Sequence, residues 1–221
     1  MSLVTADAES AFHTKPASYV LMKDSSSRQR QLLRRRLRDC RRRLDQHQRA
    51  EFTHTICSRI LRHQAFKTAK HIGFYSAFDG EIDLTALLLR GRDMGKQVYL
   101  PVLPDGVFHK IRFAPCFDDS PFRLNRFGIP EPACDAKRLV TAVHLDLVLM
   151  PLVGFDESGQ RLGMGGGFYD RCLEFRMRRR VWRKPFLLGV AYECQKVDSL
   201  ASASWDVRMD ACVTEACWYR F

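Results

Sequence analysis

The chain has 221 residues, 46% of them hydrophobic, with 36 Lys and Arg against 25 Asp and Glu for a formal net charge of +11. That length suits one sizeable domain with its own core. No apolar run approaches the roughly 18 residues a spanning helix needs, which excludes a membrane-spanning helix. The positive balance points to anionic partners, with nucleic acid, nucleotide phosphates and poly-acidic small molecules all open at this level.

The start of the chain carries Asp7, Glu9, His13 and Lys15 without a central apolar block, so it does not read as a secretory signal. Composition predicts a flexible N-terminal extension over 1–27 and a single folded domain over 28–221. Eight cysteines are scattered with no CxxC pair, which predicts reduced, packed thiols and no zinc-type cluster.

A first helix is predicted over 28–44. Leu33, Leu37, Cys40 and Leu44 share one face as a core stripe, and Arg30, Arg34, Arg38 and Arg41 lie beside it. Arg35, Arg36, Arg42 and Arg43 fall on the solvent faces. Asp45 with Gln48 forms a capping-box pattern that opens a second helix over 46–63. A short β-rich run follows at 71–76, then a helix over 83–94 stopped by Gly95. Strands are predicted at 97–102 and 107–113, and 118–141 reads as mostly irregular. Residues 146–151 form a near-continuous apolar run, as expected of a strand buried on both faces of a parallel sheet. After a glycine turn come a helix to about residue 180 and strands at 186–192 and 211–214. Strands alternating with helices predict an open α/β sheet covered on both faces.

The stretch Arg161-Leu-Gly163-Met164-Gly165-Gly166-Gly167-Phe168-Tyr169-Asp170 is the chemically richest. Its glycines permit positive φ and close approach of a ligand to the backbone. It follows a predicted parallel strand, where ligands bind in open α/β sheets, and it opens a helix whose first N–H groups favour phosphate. Neither GxxxxGK[ST] nor GxGxxG is satisfied. Tight-turn geometry alone explains such a run as readily as a phosphate cradle does. The neighbours favour the cradle. Arg161 offers a planar fork for phosphate oxygens, Asp170 is a hard carboxylate suited to Mg²⁺, and Phe168 and Tyr169 offer flat faces for a heterocycle.

The string from Phe155 to Arg171 closely resembles the signature of 5-formyltetrahydrofolate cyclo-ligases, also called 5,10-methenyltetrahydrofolate synthetases. Five further segments match in order: the Arg30/Arg34 pair, Phe78-Asp79-Gly80-Glu81-Ile82, Gly128-Ile129-Pro130-Glu131-Pro132, the run from Gly189 to Gln195, and that from Trp205 to Asp210. The resemblance implies a three-layer α/β/α sandwich with a mostly parallel sheet, of the kind shared with sugar-phosphate isomerases and CoA transferases. It implies a cytoplasmic ligase that uses ATP and Mg²⁺ to close 5-formyltetrahydrofolate to 5,10-methenyltetrahydrofolate, with an imidate phosphate on the way. Arg30, Arg34, Arg161 and the backbone of Gly163, Gly165, Gly166, Gly167, Phe168 and Tyr169 are implied to hold ATP, with Arg161 and Tyr169 serving catalysis. Ser76, Glu81, Met164 and Phe168 are implied to meet the folate, and Asp170 and Asp206 to hold Mg²⁺. Met164 and Gly166 stand where other members carry basic residues, so phosphate binding here leans on backbone N–H groups and arginines. Small-molecule substrates are the expected partners, with no nucleic acid, membrane or obligate protein partner. The competing class is a nucleic-acid module built on the nine arginines between 28 and 43 with Arg176, Arg178, Arg179 and Arg180, against which stands the lack of any recognised nucleic-acid motif.

Overall fold

In the computed structural model, residues 17–104, 110–117, 119–178 and 184–221 are described. The chain divides into two units, Met1–Leu33 and Arg34–Phe221. The first is helical over its described part. Helix α1 (Ala17–Arg43) starts earlier than the predicted residue 28. In the second unit Leu37 of the predicted stripe is buried, while Cys40 and Leu44 are half-buried. Among the described side chains of α1 the other buried one is Arg41, which a helical wheel places beside the stripe.

Helix α2 (Gln46–Arg62) opens on the expected capping box. The Gln48 N–H donates to Asp45 Oδ1 at 2.8 Å, and the Asp45 N–H to Gln48 Oε1 at 3.1 Å. After the short α3 (Gln64–Thr68) come β1 (His71–Gly73), α4 (Thr85–Asp93), β2 (Gln97–Val102) and β3 (Arg112–Pro115). Of the strand expected over 107–113, residues 107–109 lie outside the described part. Next are β4 (Phe122–Leu124), β5 (Pro130–Pro132), β6 (Leu147–Pro151), β7 (Gly154–Phe155) and β8 (Arg161–Leu162). The chain then forms α5 (Phe168–Leu173), α6 (Phe175–Arg178), β9 (Phe186–Val190), β10 (Ala211–Val213) and β11 (Trp218–Arg220).

Seven strands form one sheet in the order β11-β10-β9-β6-β1-β2-β3. The five inner strands are parallel, and β3 and β11 pair antiparallel at the edges. Alternation along the inner strands feeds two cores. Leu147, Leu149, Leu188 and Val190 pack with α2, α3 and α4 on one face, whereas Val148, Met150 and Leu187 pack with Cys172 and Leu173 of α5 on the other. The expected three layers are therefore present, with a mostly parallel mixed sheet.

The structure adds to or corrects the expected elements at three places. The stretch 118–141 is mostly irregular, as expected, but it also holds the short antiparallel hairpin of β4 and β5. Two prolines in β5 hide that strand from a pattern reading, because proline donates no ladder hydrogen bond and is tolerated only where the partner does not need one. The helix after the glycine turn breaks at Glu174 into α5 and α6, and residues 179 and 180 lie outside the described part. The residues after Thr214 add the edge strand β11.

Among the parallel strands the chain leaves β1 to β2 on one side and to β6 on the other. The switch point thus lies between β1 and β6, and the crevice past their carboxyl ends is where an open α/β sheet receives ligands.

Candidate active site

A cavity of about 380 Å³ lies at that crevice. Tyr75, Ser76, Phe78 and Glu81 after β1 wall it on one side, Leu103 after β2 on another, and Pro151 and Leu152 at the end of β6 on a third. Arg161, Gly163, Met164, Gly166, Gly167, Phe168, Tyr169 and Asp170 complete the wall. Ten of the residues implicated from sequence therefore converge on one cavity from separate parts of the chain.

The glycine turn adopts the geometry its composition allows. Gly165 has φ +104° and Gly167 φ +60°, both left-handed, and a Cβ on Gly166 would sit 2.6 Å from the Phe168 ring. Two arginines hold its carbonyls: Arg34 Nε donates to Gly163 O at 2.8 Å, and Arg171 Nη2 to Gly166 O at 2.7 Å. Gly165 does not line the cavity but lies against the Arg34 guanidinium. The N–H groups of Met164, Gly165, Gly166 and Gly167 donate to no acceptor among the described residues. Because α5 is only six residues long, its dipole adds less than the longer helix expected from sequence.

Arg161 is 5% exposed at its side chain and already engaged. Its Nη2 donates to Asp170 Oδ1 at 2.6 Å, and its Nη1 to the Val207 carbonyl at 3.2 Å. Asp170 Oδ1 also accepts from the Val207 N–H at 3.3 Å. Asp206 does not line the cavity. Its Oδ2 accepts from the Ala203 N–H at 2.7 Å, closing a turn beside Val207. Among the described residues no group of three His, Cys, Asp or Glu could cage a metal. A carboxylate with one committed oxygen suits a hydrated Mg²⁺ carried in on phosphates, which takes only one or two protein carboxylates. Tyr169 lines the cavity with its hydroxyl buried and without a hydrogen-bond partner among the described residues. Such a group is costly unless a ligand or water completes it. Arg30 belongs to the first unit and is half-buried.

Glu81 stands in the cavity wall with its side chain 10% exposed, and its Oε2 accepts from the Phe78 N–H at 3.2 Å. Burial pushes its carboxyl up to about 7 against the opposing charge of Arg41 and the Phe78 hydrogen bond. Folded Glu81 therefore keeps its proton over a range in which the unfolded chain has lost it. Its contribution to stability is fully present below pH 4.5 and is lost as pH rises through about 7. Relative to Glu81→Gln, the wild type is expected to lose a few kcal/mol of unfolding free energy between those values, read from denaturant midpoints.

Sequence reasoning missed two parts of the site. The tip of the β4–β5 hairpin roofs the cavity with Asn125, Phe127 and Ile129, and Phe127 meets Phe168 edge-on at 6.1 Å. Glu131, 2% exposed, anchors that hairpin by accepting from the Leu103 N–H at 3.0 Å and from Arg123. Ser76 Oγ adds a bond to Pro130 O at 2.8 Å. The signal was the Gly128–Pro132 match inside a stretch otherwise read as irregular. The other part is the clamp on Asp79. Arg38 Nε reaches Asp79 Oδ2 at 2.6 Å, Arg41 Nη2 reaches the same oxygen at 3.0 Å, and Arg42 Nε reaches Oδ1 at 2.7 Å. Arg42 is thus not simply solvated, although its side chain stays half exposed.

Residues 26–215 match the model of the 5-formyltetrahydrofolate cyclo-ligase family. The chain belongs to that family. A 5-formyltetrahydrofolate cyclo-ligase of Haemophilus influenzae is 38% identical over 184 residues, covering 82% of this chain and 95% of that one. The Escherichia coli K12 protein of the same name is 36% identical over 180 residues, covering 80% and 96%. Among solved structures, the NMR structure of Aquifex aeolicus 5,10-methenyltetrahydrofolate synthetase superposes with a TM-score of 0.71 at 29% identity, covering 86% of this chain and 92% of that one. The cyclo-ligase family member described here is accordingly a ligase. None of its described helices is long and apolar enough to cross a membrane.

Proposed function

We propose that the protein uses ATP and Mg²⁺ to convert 5-formyltetrahydrofolate to 5,10-methenyltetrahydrofolate, releasing ADP and phosphate. The observation that carries this reading is one cavity in which an apolar slot containing Glu81 runs into a glycine turn held by Arg34 and flanked by Arg161. The formyl amide is a poor electrophile because its nitrogen lone pair is delocalised into the carbonyl. Its oxygen attacks the γ-phosphorus, ADP leaves, and the formyl group becomes an imidate phosphate. The second folate nitrogen attacks that carbon and gives up its proton to water or the departing phosphate, and inorganic phosphate leaves with the former formyl oxygen.

This sequence asks the protein for charge neutralisation and alignment more than for a base. Arg34, Arg161 and the undonated N–H groups of the glycine turn face the first need, and Arg30 belongs with them on the family pattern. Asp170, in the cavity wall, would hold Mg²⁺, which would neutralise phosphate charge during transfer, while Asp206, outside that wall, supports the Val207 turn beside it. Glu81 and Tyr169 offer hydrogen bonds to the heterocycle, with Ser76, Met164 and Phe168 along the folate. The eight free thiols suit a reducing compartment, and we place the enzyme in the cytoplasm.

Purified protein mixed with Mg²⁺, ATP and 5-formyltetrahydrofolate is expected to produce the methenyl absorbance only when ATP is present. Arg34→Ala is expected to raise KM for ATP by about tenfold, the loss of one charge-assisted contact, and Glu81→Ala to raise KM for the folate comparably. Folded protein that gives no ATP-dependent signal would overturn the proposal.

A further inference from the structure

Arg41 is the largest fully buried side chain of the molecule's described part, and it is a cation at 1% exposure. Isolating a guanidinium from water is expensive, so its partners must compensate it closely. Nε donates to the Asp79 carbonyl at 2.9 Å, Nη2 to Asp79 Oδ2 at 3.0 Å, and Nη1 to the Leu152 carbonyl at 3.3 Å while standing 3.7 Å from Glu81 Oε1. One side chain thereby ties the turn after β1 to the end of β6, the two walls that meet at the switch point. Asp79 sits at φ +55°, a left-handed conformation that aspartate tolerates better than most residues, and Gly80 follows at φ +79°. The turn reverses sharply enough to aim Asp79 at α1 while Glu81, two residues on, reaches the cavity. A positive-φ residue held by three arginines beside a ligand cavity is the kind of over-determined geometry found at working sites.

We propose that Arg41 and Asp79 form a positioning pair that sets both the place and the charge state of Glu81 in the substrate cavity. Its consequence for catalysis rests on the reading that Glu81 meets the folate. The groups facing Glu81 are Arg41 and Arg38 from α1, Asp79 and the Phe78 N–H from its own turn, Tyr75 past β1, and Tyr169 from α5. Of the charged ones, the arginines favour the Glu81 carboxylate and Asp79 opposes it. Both tyrosines are held neutral by burial. The two members of the pair therefore act on Glu81 with opposite sign.

The test is a carboxyl ¹³C NMR titration of the full chain labelled at glutamate, with the Glu81 resonance assigned by its loss in Glu81→Gln. Arg41→Met is expected to move the Glu81 midpoint up and Asp79→Asn to move it down, each by about half a pH unit or more, as expected on removing a neighbouring charge. Asparagine keeps the shape and tolerates the left-handed backbone, so Asp79→Asn remains informative if Arg41→Met does not fold. A midpoint that stays put in Asp79→Asn, or moves the same way in both variants, overturns the pair; general loosening of the fold would produce no opposed shifts. The pH limb of kcat/KM for 5-formyltetrahydrofolate is expected to follow the NMR midpoint. If the midpoint moves as expected but that limb does not, the pair stands and the folate role of Glu81 falls.

Discussion

Arg161→Met is expected to lower kcat/KM for the ring closure by about 10²–10³-fold, the usual cost of removing one preorganised donor from a site where charge develops. The guanidinium is almost wholly enclosed, is fixed by Asp170 and the Val207 carbonyl, and still lines the cavity beside the glycine turn. A cation so held needs no reorganisation when phosphate charge shifts. Lysine restores the charge but not the fork, since one ammonium cannot meet Asp170 and Val207 O as the planar group does. Arg161→Lys is therefore expected to recover only part of the loss. Steady-state kinetics, with circular dichroism as a folding check, decides the matter. Activity within threefold of wild type in Arg161→Met would remove Arg161 from the phosphate site.

Asp79→Ala is expected to cost about 3–5 kcal/mol of unfolding free energy, because it leaves the buried Arg41 guanidinium without its nearer anion. Arg38 and Arg42 are more exposed and contribute little to that figure. Alanine at φ +55° adds backbone strain, which Asp79→Gly would not, so the glycine variant isolates the charge effect. Despite the opposing effect of burial, hydrogen bonds from Arg38 and Arg42 and the charge of Arg41 hold the Asp79 carboxyl down to about 2. The stability it supplies is thus present above pH 3.8 and lost as pH falls through about 2. Denaturant unfolding of wild type and both variants at neutral pH and near pH 3 is expected to show the gap narrowing on acidification.

Local chemistry made much of this molecule readable from residues alone. The Asp45–Gln48 box, the all-apolar strand β6 and the glycine turn each depend on neighbours a few positions apart, so their patterns survive without tertiary context. The family motifs likewise marked Glu81, Arg161, Phe168 and Asp170, which converge on one cavity. What tertiary structure alone decided is which charges face each other. Along α1 a helical wheel sorts the arginines only into those beside the leucine stripe and those in solvent, and only the turn after β1 makes Arg41 a buried cation and Arg38 and Arg42 partners of Asp79. The two-proline strand β5 carries too weak a local pattern to announce itself, and it exists because β4 and the end of β2 offer it partners. Propensity and periodicity act over a few residues, whereas burial of a charge is set by elements about 40 or more residues away that exclude its water.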